Sequence, residues 1–68
     1  MNGPSKIQKY NNFVSRAAAA EREKDWLYAA KLWAAAQNLA VIAFWKDKVT
    51  YTGHRIVFCQ KMAQRAAQ

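Results

Sequence analysis

The chain has 68 residues, enough for one small domain and too few for an active-site cleft between two. Eleven Lys and Arg against four Asp and Glu give a formal net charge of +7, spread over both halves, so no single basic tail carries the excess. Apolar residues make up 53% of the chain, which excludes a disordered polycation, but 14 of them are alanine and leave few large side chains for a core. A chain this short buries about 60% of its unfolded surface, so self-association or a partner is expected to complete it.

In chain order, Gly3-Pro4-Ser5 has turn chemistry and Ser5 is a natural N-cap for a helix over 6–22. Ile7, Tyr10, Phe13, Val14, Ala17 and Ala20 share one arc at helical spacing, while Gln8, Asn12, Ser15, Arg16 and Arg22 face away. The charged run Glu21 to Asp25 breaks this helix, with Asp25 placed to cap the next, and so short a connection predicts an antiparallel hairpin. A second helix is expected over 26–44. Its apolar residues cover more than half its circumference, which makes it the central helix. Lys46-Asp47-Lys48 reads as the second break, with Asp47 or Thr50 as N-cap of a third helix over 48–66. Gly53 costs that helix about 1 kcal/mol relative to alanine, but a strand would have no partner here. The fold class is therefore all-α: one domain over 1–68, an antiparallel helical hairpin plus a third helix, completed by homodimerisation.

The third helix has two apolar stripes. Val49, Thr52, Ile56, Cys59, Ala63 and Ala66 suit packing on the second helix. Tyr51, Phe58 and Met62, with Arg55 beside them, form a second stripe that three helices alone leave exposed, and these four residues are the candidate partner-binding surface. His54, Lys61 and Arg65 fall on one side of the same helix and are the candidate contacts if the protein touches nucleic acid. Against direct DNA binding, the basic residues are scattered over all three helices, and no recognition helix offers Arg, Asn or Gln in its first turn for base edges.

Catalytic chemistry has little to stand on. His54 has no cysteine or carboxylate at ligand spacing, Gly3 and Gly53 make no phosphate loop, and nothing pairs Cys59 with a base, so no catalytic, metal or cofactor site is expected. Glu21, Glu23, Asp25 and Asp47 fall near helix ends and read as capping and solubilising residues. A lone cysteine fits the reducing cytoplasm, and Met1 to Tyr10 lacks the apolar run of a signal peptide. The stretch from Trp26 to Trp45 is long enough to cross a bilayer, but Lys31 near its middle costs roughly 2.5–3.5 kcal/mol there, so a helix wrapped by two others is the cheaper arrangement.

The pattern Ala20-Glu21-Arg22, Asp25-Trp26, Ala29-Ala30, Leu32-Trp33 and Ala36, followed by Arg55-Ile56-Val57-Phe58-Cys59, resembles the ANR family (AggR-negative regulators) of very small bacterial transcriptional regulators. Lys24 stands where that family commonly has glycine, which argues for a capped turn there and against a left-handed one. Tyr51 stands where a tryptophan is usual. The resemblance implies a negative regulator that binds AraC/XylS-type virulence activators, blocks their dimerisation and in some members engages the nucleoid protein H-NS. The alternative is a small basic protein that binds DNA directly.

Overall fold

A computed structural model describes Gly3 and residues 5–67. It contains three helices: α1 (Lys6–Arg22), α2 (Trp26–Ile42) and α3 (Lys46–Ala66). The chain is all-α, an antiparallel hairpin with a third helix returning along α2. Both α1 and α3 pack along α2, while their direct approach to each other is slight. The Cα extents of 47 × 23 × 12 Å describe a flattened bundle one and a half helical hairpins wide.

Ser5 caps α1 as its chemistry requires. Its hydroxyl accepts from the Gln8 N–H at 3.3 Å and the Gln8 side chain accepts from the Ser5 N–H at 2.9 Å, a complete capping box. The neighbouring Pro4 lies outside the described residues. Of the α1 arc, Tyr10, Ala17 and Ala20 are buried, Phe13 and Val14 half-buried, and Ile7 remains 41% exposed at the open end.

Both connections differ from expectation. The first turn is left-handed after all: Lys24 has φ 61°, the Lys24 N–H donates to Glu21 O and the Asp25 N–H to Ala20 O, both at 2.9 Å. This is a Schellman closure with lysine in the seat glycine prefers. Asp25 occupies the cap position of α2 but its side chain makes no capping hydrogen bond. The second turn repeats the first 20 residues on. Phe44 has φ 60°, its N–H donates to Val41 O at 3.1 Å, and Trp45 N–H donates to Ala40 O at 2.9 Å. Consequently α2 stops at Ile42 and not at Phe44, and Lys46-Asp47-Lys48 is the first turn of α3 and not a break. The N-cap of α3 is Trp45, Asp47 sits where a carboxylate meets the positive end of the helix, and Thr50 lies inside the helix with its hydroxyl donating to Lys46 O at 3.2 Å.

The core has two parts. Ala17, Ala20, Ala29, Leu32, Trp33 and Cys59 form the larger cluster, and Tyr10, Ala36 and Ala40, backed by Trp45 and Val49, form the smaller. Alanine dominates both because it lets helices approach closely, and Trp33 fills the space that remains. Thr52 is buried in the α3 face with its hydroxyl satisfied by Lys48 O at 2.8 Å and Val49 O at 3.1 Å. Gly53 faces α2 at short range, since a Cβ there would lie 3.2 Å from Gln37 Nε2.

Candidate functional site

Glu21 is the residue around which the three helices meet. It projects from the last turn of α1, at the centre of that helix's apolar arc, into the space between α2 and α3. Its Oε2 accepts from Trp33 Nε1 at 2.6 Å, Arg55 Nε at 3.2 Å and the Cys59 thiol at 3.3 Å, and its Oε1 pairs with Arg55 Nη2. Only 16% of the Glu21 side chain and 30% of the Arg55 side chain are exposed.

Burial alone would push the Glu21 carboxyl up. The hydrogen bonds donated by Arg55, Trp33 and Cys59, with the Arg55 charge, outweigh it and hold the group below its ordinary range. Arg55 is pushed above its ordinary value, chiefly by its hydrogen bond to Glu21. Burial, then the adjacent carboxylate, raises the Cys59 thiol to about 11, so it stays protonated and donates. The expectation that Glu21 serves as a capping or solubilising group is thus corrected: it is a partly buried, four-bonded acceptor. Its position in the apolar arc, level with Tyr10, Val14 and Ala17, was the signal available in the sequence.

The Tyr51, Arg55, Phe58 and Met62 stripe lies along one edge of α3. Tyr51 meets Trp33 edge to face with centroids 5.6 Å apart, and Phe58 meets Trp26 in the same way at 5.8 Å. The Arg55 guanidinium lies 4.4 Å from the centroid of the Phe58 ring, held on its other side by Glu21. Tyr51 is 52% and Phe58 39% exposed, and Met62 is half-buried one turn further on. Each exposed ring is therefore braced from behind by a tryptophan of α2. Arg55, by contrast, is already engaged within the chain. His54, Lys61 and Arg65 are exposed and run beside this strip on the solvent side of α3. The two candidate sets form one surface: aromatic rings with a cationic border.

Among the described residues, no three His, Cys, Asp or Glu side chains lie close enough to hold a metal ion, and no helix is long and apolar enough to cross a membrane. Comparison with protein-family models, with curated proteins and with solved structures found no match.

Proposed function

We propose that the chain is a non-enzymatic regulator of transcription that acts in the cytoplasm by binding another protein, an AraC/XylS-type activator, and so keeps that activator from dimerising. H-NS is a second candidate partner on the same reading. The observation that carries the proposal is the strip on α3: Tyr51 and Phe58 are exposed, yet their rings are fixed by Trp33 and Trp26. Rigid aromatic anchors lose little entropy on docking, which is the property of residues that dominate protein interfaces. A border of His54, Lys61 and Arg65 favours a partner with acidic residues around an apolar groove. Further support comes from the residues behind the family resemblance: Ala20, Glu21, Trp33, Arg55 and Cys59 meet around the Glu21 carboxylate and in the core beside it, so the pattern amounts to a folding unit.

Titration of the chain into a purified AraC/XylS-type activator, followed by sedimentation, tests the proposal. Phe58→Ala should weaken the complex at least tenfold, about 1.4 kcal/mol or more, with helicity by circular dichroism unchanged. Equal affinity of Phe58→Ala and the unmodified chain would remove the strip from the interface. A second reading is direct DNA binding, supported by the exposure of His54, Lys61 and Arg65 on one side of α3. Three phosphate contacts would give binding that fades steeply between 50 and 200 mM salt in a gel shift.

A further inference from the structure

α2 differs from its neighbours in being largely apolar around its circumference, whereas α1 and α3 are each two-faced. Its flanks are covered by α1 and α3. The third side is not: Leu27 is 66% and Ile42 60% exposed, with Lys31 and Asn38 exposed between them and Ala34 and Ala35 half-buried at the middle. These six residues occupy an arc of about 100° on the helical wheel.

Their order along the helix is self-complementary about the Ala34–Ala35 midpoint. Leu27 and Ile42 are equidistant from it, as are Lys31 and Asn38. A second α2 laid antiparallel on the first, related by a two-fold axis through that midpoint, sets Leu27 level with Ile42 of the second copy and Lys31 level with its Asn38, whose amide oxygen accepts from an ammonium. The alanines at the axis permit close approach.

Two more observations point to a second copy as the occupant. Between Leu27 and Ile42 the face carries one charge, Lys31, so most of the +7 of the chain lies elsewhere and neither opposes self-contact here nor offers an acidic partner a matching patch. The same register brings Phe44, 86% exposed on its left-handed seat, level with Asp25 of the other copy. Beside Asp25 lies a hollow of about 310 Å³ between Lys24–Leu27 and Ala63–Ala67, on the α3 side of α2, the side on which Phe44 also stands. A two-fold axis of this orientation superposes like sides, so an exposed ring meets an open hollow twice per dimer.

We infer that the chain forms a two-fold homodimer through the outer face of α2, antiparallel, with Ala34 and Ala35 at the axis. This interface is separate from the α3 strip and leaves it free. Sedimentation equilibrium of the intact chain tests it. The unmodified chain should sediment at twice the chain mass at about 100 μM, the range in which a micromolar dimer is saturated. Asn38→Lys, which sets two ammonium groups opposite each other, should raise the dissociation constant at least tenfold. Adding Lys31→Glu to it should restore the dimer, because the opposed pairs become Glu and Lys; this rescue distinguishes a lost register from a damaged fold. Phe58→Ala should sediment as the unmodified chain does. A monomer at that concentration, a dimer indifferent to Asn38→Lys, a double variant no tighter than Asn38→Lys alone, or a dimer lost in Phe58→Ala would each overturn the inference.

Discussion

At the Ala20–Asp25 end of the bundle a carboxylate gathers all three helices, whereas at the Ala40–Trp45 end aromatic rings and a lysine ammonium do the gathering. The backbone of the two turns is the same, left-handed at Lys24 and Phe44 with the same hydrogen bonds. What differs is the lock beside it. Glu21 draws donors from α2 and α3 at the first end. At the second, Tyr10 meets Trp45 edge to face at 5.8 Å, and the Lys48 ammonium lies 5.6 Å and 5.8 Å from the two ring centroids. Since the backbones of α1 and α3 approach each other only slightly, these two groups are where polar and aromatic side chains bridge the outer helices. A polar lock depends on a protonation state and fixes direction; an aromatic one depends on area and tolerates sliding.

The largest effect should come from removing the polar lock. Glu21→Ala leaves Arg55 without its partner and the indole N–H of Trp33 without an acceptor, and should cost about 3 kcal/mol in urea unfolding at neutral pH. Trp45→Ala removes a half-buried ring and an edge-to-face pair, and should cost about 2 kcal/mol. A reversed ranking would place the main brace at the aromatic end.

The same two variants separate the ends by pH. The folded state holds the Glu21 carboxyl below its ordinary 4.5, so the protein gains from ionisation there. That contribution is complete above the ordinary value and is lost as the pH falls through the lowered one. The penalty of Glu21→Ala should therefore shrink on acidification to about pH 3, while that of Trp45→Ala holds steady. Unfolding curves at the two pH values check this. Equal pH response in both variants would mean that some other carboxylate carries the acid sensitivity.

How far the sequence announced these ends also differs. The hairpin, the third helix and the span of α1 followed from periodicity and the Ser5 cap, because helix propensity and burial pointed the same way throughout. The turns did not, since Lys24 and Phe44 occupy seats that glycine usually marks. The cluster Lys46-Asp47-Lys48 resembled a connection and is instead a helical first turn, where Asp47 is favoured by the helix dipole. Glu21 was legible only as an anomaly, a charged residue in an apolar arc, and its partners Trp33, Arg55 and Cys59 lie too far along the chain for spacing to pair them. Tyr51 and Phe58 stood out as a stripe with no helix left to cover it. The tryptophans that brace them belong to tertiary packing and leave no local trace.

The smallest effect comes from the turns themselves, and it has the opposite sign. A side chain on a left-handed seat costs roughly 1 kcal/mol relative to glycine, partly offset by the greater freedom that glycine has in the unfolded chain. Lys24→Gly should therefore stabilise the chain by about 0.5 kcal/mol, a shift read from the urea midpoint. Phe44→Gly relieves the same backbone cost but also removes a ring that is 86% exposed and contributes little burial to a single copy. At concentrations below those that populate the proposed dimer, the two substitutions should then stabilise alike. At concentrations where the α2 faces meet, Phe44→Gly should lose that advantage and Lys24→Gly should keep it, because only Phe44 carries a ring for the hollow of the other copy. Equal gains at both concentrations would show that the exposed phenylalanine is not used by the dimer.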